Sequence, residues 1–315
     1  MQLTQASRIF VAGHHGLVGS AVVGKLEQRG HTNLILRTHD ELDLTDQAAV
    51  REFFQAERPE AVIMAAARVG GIHANSSRPA MFIRDNLLIQ DNVIDASYRS
   101  GVGKFVFLGS SCIYPKLSPQ PIKEEYLLTG PLEPTNEWYA IAKIAGVKMC
   151  QAYRREFGFN AISLMPTNLY GPGDNFNLQN SHVLPALIRR VHEAKIRGDD
   201  SVTVWGSGTP RREFLHVEDL ADAILYLLHT YDGEAIVNIG WGEDVSIREL
   251  AELVLSVIGY SGRLVFDPGK PDGTPRKLLD ITRQTNLGWK PRITLKVGIE
   301  QTYAWFKEHF DDARL

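Results

Sequence analysis

Arg8-Ile9-Phe10-Val11-Ala12-Gly13-His14-His15-Gly16-Leu17-Val18-Gly19 decides how this chain folds. A short apolar run of strand character leads into three glycines spaced three apart, and a helical pattern follows to about Arg29. Side chains at the glycine positions would keep backbone amides away from a diphosphate, whose charge also favours a helix N-terminus. The spacing is Gly-x-x-Gly-x-x-Gly, a variant of the Gly-x-Gly-x-x-Gly dinucleotide turn. Gly13, His14, His15, Gly16, Leu17, Val18 and Gly19 are therefore candidate cofactor contacts.

Outward from this turn, further apolar runs read as buried strands: Leu34–Leu36, Ala61–Met64, Lys104–Leu108 and a stretch around Ala161–Leu164. Amphipathic segments separate them. Apolar strands alternating with helices predict an α/β fold, a doubly wound, Rossmann-like parallel sheet covered on both faces. After Met165-Pro166-Thr167 the texture changes to turns and loops rich in Gly, Arg and Asp, read as a smaller, interleaved C-terminal substrate lobe. The expected division is a nucleotide domain over 1–169, to which 214–241 returns, and a substrate lobe over 170–213 and 242–315. Arg37 is expected to end the second strand, where an NAD-binding protein usually has an acid for the ribose. An Arg there can pair with a 2′-phosphate, which favours NADP, although Asp40 remains available for a ribose.

Composition narrows the functional class. A net charge of −3 gives no overall basic field to recruit nucleic acid or an acidic membrane surface. Two cysteines, Cys112 and Cys150, are too few for a disulfide framework and fit a reducing cytosol. With no signal-peptide pattern and no membrane-length apolar run, the expectation is a cytoplasmic protein. No metal site is expected.

Chemistry concentrates in two segments. Tyr139-Ala140-Ile141-Ala142-Lys143 puts a phenol and an ammonium on one helical face. A neighbouring ammonium is expected to lower the Tyr139 pKa and suit it to proton exchange with a carbonyl. Gly109-Ser110-Ser111-Cys112 follows the fourth strand at the carboxyl edge, where open α/β sheets bind ligands. There Ser110 can offer a second hydroxyl, and Cys112 is placed in the active site by its polar turn. Cys150 has apolar neighbours and is read as inert; His216 is read as structural.

Gly109-Ser110-Ser111-Cys112-Ile113-Tyr114-Pro115, Glu133-Pro134-Thr135-Asn136-Glu137, Tyr139 to Gly146 and Met165 to Pro172 together closely resemble the GDP-L-fucose synthases. These are dual 3,5-epimerases and 4-reductases of the extended short-chain dehydrogenase group. The resemblance continues through Asn180-Ser181-His182-Val183, Val204 to Pro210, Arg212 to Val217 and Lys270 to Lys277, and so covers nearly the whole chain. It implies a GDP-4-keto-6-deoxy-D-mannose substrate, NADPH as cofactor and a homodimer. It also implies Cys112 as base and His182 as acid for the two inversions, with reference pKa values of about 8.5 and 6.5 that bracket neutrality. Tyr139 and Ser110 would hold the C4 oxygen, and Lys143 the nicotinamide ribose. Leu108, Gly109, Ser110, Ser111, Pro166, Thr167, Asn168, Leu169 and His182 are expected beside the cofactor. Arg190, Trp205, Arg212, Asp272 and Lys277 are expected on the nucleotide-sugar.

Two other readings compete. A 4-epimerase or 4,6-dehydratase would share the scaffold, but a dehydratase of this group typically has Thr-Asp-Glu at the serine turn, and this turn has no carboxylate. A non-catalytic dinucleotide sensor commonly loses the Tyr or the Lys, whereas both are present. The chain departs from the family pattern in carrying His15 and His39 where family members have Arg. Neutral imidazoles attract a 2′-phosphate less strongly than guanidiniums.

Overall fold

Ile9-Phe10-Val11-Ala12 forms a strand that is fully buried on both sides, and successive side chains enter opposite apolar layers. The structure is a computed structural model that describes residues 3–179, 181–269 and 272–310. Its first half runs β1 (Ile9–Ala12), α1 (Leu17–Gln28), β2 (Leu34–Ile35), α2 (Gln47–Glu57), β3 (Ala61–Met64), α3 (Ile72–Ser77), α4 (Pro79–Arg99), β4 (Lys104–Leu108), α5 (Glu137–Phe157) and β5 (Ala161–Pro166). Then come β6 (Asn168–Tyr170), α6 (Val183–Arg197), β7 (Ser201–Trp205), β8 (Arg211–Arg212), β9 (Phe214–His216), α7 (Val217–Thr230) and β10 (Val237–Ile239). The last part holds β11 (Val245–Ser246), α8 (Ile247–Ile258), β12 (Arg263–Asp267), β13 (Arg276–Lys277), α9 (Thr282–Asn286) and α10 (Leu295–Glu308).

The main sheet has six strands in the order β10-β5-β4-β3-β1-β2, and every pairing is parallel. Phe10, Val62, Met64, Phe105 and Phe107 pack on one face with residues of α2, α4 and α5. Ile9, Val11, Ile63, Val106 and Ile162 pack on the other with α1 and α7. Each such side chain contributes roughly 1.5–3 kcal/mol through burial. Burial on both faces is why these strands are apolar at every position.

The strand order reverses direction between β1 and β3, which opens a crevice at their carboxyl ends. The glycine turn closes tightly into it. Gly13 has φ of +82°, and a Cβ there would lie 2.8 Å from the Ala66 backbone; one on Gly19 would lie 2.1 Å from the Gly13 carbonyl oxygen. β2 stops at Ile35 rather than Leu36, so Arg37 lies beyond the strand instead of ending it.

The smaller core gathers Leu187 and Val191 of α6, Leu250 and Val254 of α8, and Phe306 of α10. Within 217–239, α7 and β10 pack with the main sheet. Leu279 and Trp289, outside that return segment, also join its apolar layers. Of the sequence motifs singled out above, Asn180, Lys270 and Pro271 lie outside the described residues. Among the described residues, no helix is long and apolar enough to cross a membrane.

Candidate active site

Three connections at the carboxyl edge of the main sheet build the site. The glycine turn follows β1, the Ser110 turn follows β4, and Thr167 and Asn168 follow β5. At the first, His14 and His15 pack edge to face with ring centroids 4.1 Å apart. His14 hydrogen-bonds the Arg37 backbone, and burial, aided by the neighbouring His15, lowers its pKa. Arg37 is not free to wait for a phosphate. Its guanidinium pairs with Glu57 at the end of α2 and lies 5.7 Å over the Phe53 ring. His39 is exposed, 3.9 Å from the Asp43 carboxylate.

Tyr139 enters from the first turn of α5. This helix has Glu137 at its N-terminal end, Arg154 and Arg155 near its C-terminal end, and a left-handed Gly158 to stop it. Those charges complement the helix dipole, and the ordered helix fixes the phenol's position. Ser110 stands at the end of β4, where its hydroxyl accepts the Cys112 backbone N–H at 3.2 Å and hydrogen-bonds the Tyr139 phenol. Lys143 is buried one turn below. Its Nζ donates to the Leu108 carbonyl at 2.8 Å and lies 5.8 Å from the centre of the Tyr139 ring.

That geometry corrects one expectation. Lys143 does not acidify Tyr139 here; burial, followed by the neighbouring Cys112, raises the phenol well above its ordinary value. The ammonium faces the ring and the β4 carbonyl rather than the hydroxyl, and its own burial brings its pKa down to about 8. A phenol held protonated is the form that can donate a proton to a developing alkoxide.

Cys112 behaves in the opposite sense. Burial pushes its thiol up, but the Lys277 ammonium and hydrogen bonds from Ser110, Lys277 and Asn136 outweigh it and bring the pKa below the usual thiol value. Lys277 Nζ lies 3.5 Å from Cys112 Sγ. His182 stands at the N-cap position of α6, and burial, followed by the Lys277 charge, lowers its pKa. Cys112, Lys277 and His182 thus share one electrostatic cluster next to Ser110 and Tyr139. Cys150, by contrast, is buried and pushed up to about 12.

Of the residues expected on the nucleotide-sugar, Arg212 and Lys277 are cross-strand partners in β8 and β13. Arg212 is sensitive to the charge of Cys112, Asp272 and Glu133. Asp272 accepts the Ser207 backbone N–H at 2.7 Å and its hydroxyl at 2.8 Å, closing the turn after β7. Arg190 stacks over the half-exposed Trp205 ring, its guanidinium 4.5 Å from the centroid. A guanidinium stacked on an indole forms a surface suited to a flat, anionic ligand.

Known proteins are similar to this chain over nearly its whole length. A model of the NAD dependent epimerase/dehydratase family matches residues 9–240. GDP-L-fucose synthase 1 of Arabidopsis thaliana is 63% identical over 302 residues, spanning 96% of this chain and 94% of that protein. The chain belongs to the NAD dependent epimerase/dehydratase family, in its GDP-L-fucose synthase group. The crystal structure of a GDP-6-OMe-4-keto-L-xylo-heptose reductase from C. jejuni is 40% identical, with a TM-score of 0.94 over 98% of this chain and 100% of that one. A GDP-L-fucose synthetase from Naegleria fowleri, crystallised with NADP bound, is 31% identical, with a TM-score of 0.92 over 100% of this chain and 97% of that one.

Two residues of this family member escaped the sequence reading. Asn136 lies within a quoted motif, but its hydrogen bond to Cys112 depends on how the loop before α5 folds. Glu213 reads as one more charge in an Arg-Arg-Glu run, yet it is fully buried and burial pushes its pKa up to about 7. Its carboxylate accepts the backbone N–H groups of Gly242 at 2.7 Å and Leu279 at 3.1 Å. Its carbonyl accepts Asn168 Nδ2 at 2.7 Å. Glu213 therefore ties the β5 edge of the site to the strand carrying Arg212. No local pattern announces such a buried acid.

Proposed function

We propose that this enzyme converts GDP-4-keto-6-deoxy-D-mannose to GDP-L-fucose by inverting C3 and C5 and then reducing C4. The observation that supports the reading most is geometric: at the mouth of the dinucleotide crevice Ser110 hydrogen-bonds both the Tyr139 phenol and the Cys112 residue, whose sulfur lies 3.5 Å from the Lys277 ammonium. The C4 ketone acidifies the protons on C3 and C5, so one polarised carbonyl serves both inversions. In this reading Cys112 takes a proton from one face and His182 returns one to the other. Ser110 and Tyr139 hold the C4 oxygen while it carries enolate charge. NADPH, when bound, supplies the hydride to C4. Tyr139 then protonates the resulting alkoxide, and Lys143 orients the nicotinamide ribose.

The glycine turn fits a dinucleotide: Gly13 and Gly19 leave no room for a Cβ against Ala66 and the Gly13 carbonyl, so the turn closes tightly, and the Gly16 N-cap puts no side chain on the first amides of α1. Residues 1–169 with 214–241 are proposed to hold the cofactor. Leu108 to Ser111 and Pro166 to Leu169 would line it, and Arg190, Trp205, Arg212 and Asp272 would hold the GDP-sugar. The enzyme is proposed to act as a cytoplasmic homodimer.

The test is product analysis. Incubation with the keto-sugar and NADPH is expected to give GDP-L-fucose with one NADPH consumed per product. A catalytic amount of cofactor sufficing for turnover would favour a 4-epimerase instead, and no turnover at all a sensor. Cofactor choice gives a second expectation. Acid would charge His14, which hydrogen-bonds the Arg37 backbone, although burial holds it neutral to a lower pH than an ordinary histidine. The preference for NADPH over NADH is therefore expected to fall between pH 5 and pH 8.5, with most of the fall at the acid end. Equal ratios of kcat/KM at the two pH values would contradict it.

A further inference from the structure

β8 and β13 are only two residues long, yet their parallel register decides which side chains reach the thiol. Arg211 pairs with Arg276 and Arg212 with Lys277. Arg211 and Arg276 both turn to the buried side chain of Asp244, Arg211 Nε lying 2.7 Å from its Oδ1. Side chains alternate along a strand, so Arg212 and Lys277 leave from the opposite face, toward Cys112. Among the described residues no carboxylate forms an ion pair with Lys277, and its ammonium is spent on Cys112 Sγ at 3.5 Å.

We propose that Lys277 is a further catalytic group of this site, its ammonium holding Cys112 as the thiolate base of the two inversions. This moves Lys277 from the nucleotide-sugar contact expected of it to the reacting sulfur, and it rests on the function proposed above. Most of the other charges around Cys112 are otherwise engaged. Glu133 and Lys116, in the pocket beside the thiol, pair with each other at 3.0 Å. Arg276 is turned to Asp244, while Arg212, which donates to the Arg211 carbonyl at 2.8 Å, also feels the Cys112 charge and stays as a second cation in every Lys277 variant. Tyr139 stays neutral, and His182 feels Lys277 in its turn.

The chemistry explains why a fixed cation matters here. In each inversion the thiolate accepts a proton from carbon and the imidazolium gives one to carbon, leaving thiol and neutral imidazole. The second inversion cannot begin until the thiol has lost that proton to water and the imidazole has regained one. A cation beside sulfur favours the first of these steps, and its field on His182 makes the imidazolium a readier donor.

The test titrates the thiol directly, in a Cys150→Ser background so that one cysteine reports. The rate of iodoacetamide alkylation against pH is measured for Lys277, Lys277→Arg and Lys277→Met proteins without substrate. The inflection is expected to rise by a pH unit or more in Lys277→Met, with alkylation at pH 7 slowed about tenfold, and to stay near the parent in Lys277→Arg. Parent and Lys277→Met curves that coincide would overturn the proposal. Should the Met variant fail to fold, Lys277→Gln carries the same comparison. This readout needs no keto-sugar. A shifted inflection in a protein that makes no GDP-L-fucose would sink the proposed function and leave the Lys277–Cys112 pairing standing.

Discussion

Replacing Tyr139 by Phe is expected to lower reduction of the C4 ketone by about a thousandfold, or about 4 kcal/mol of transition-state stabilisation. In the proposed mechanism the phenol protonates the C4 alkoxide, and its raised pKa keeps it loaded across the working pH range. Ser110 alone cannot replace it, because a hydroxyl that loses its proton there has no acid behind it. The variant keeps the ring that packs above Lys143, so cofactor affinity, followed by fluorescence titration, is expected to stay within a few-fold. Unchanged single-turnover NADPH oxidation would remove Tyr139 from the mechanism.

Replacing Cys112 by Ser is expected to slow exchange at C3 and C5 by about a hundredfold or more, while reduction falls far less. A hydroxyl is a much weaker acid than a thiol, so even beside Lys277 it provides almost no base at neutral pH. The reduced sugar accumulating in this variant should retain the original stereochemistry at one or both centres, which proton NMR of the product reads directly. Parallel losses of exchange and reduction would mean that Cys112 supports the site rather than serving as its base.

Much of this architecture could be read from residues alone, because burial on two faces leaves a local trace. Strands such as Phe105-Val106-Phe107 have no polar position, and Gly13 and Gly19 stand where a Cβ has no room. The return of α7 and β10 to the main sheet was legible for the same reason. What escaped depends on distance across the fold. Arg37 was read as a free cation, but Glu57, 20 residues further on at the end of α2, meets it in space. The sign of the Tyr139 shift escaped because helical spacing places Lys143 near the ring without saying which atom it faces or how dry the hydroxyl is. Lys277 is 165 residues from Cys112, and the two-residue strand that aims it has no periodicity to detect.

The central claim is that one thiol and one imidazole, gathered around a C4 ketone, exchange protons at two carbons before hydride transfer. Turnover of the keto-sugar in deuterated water with NADPH tests it most directly. GDP-L-fucose carrying solvent deuterium at both C3 and C5 is expected, with Cys112→Ser losing that label. A reduced product with no solvent hydrogen at either carbon would contradict it.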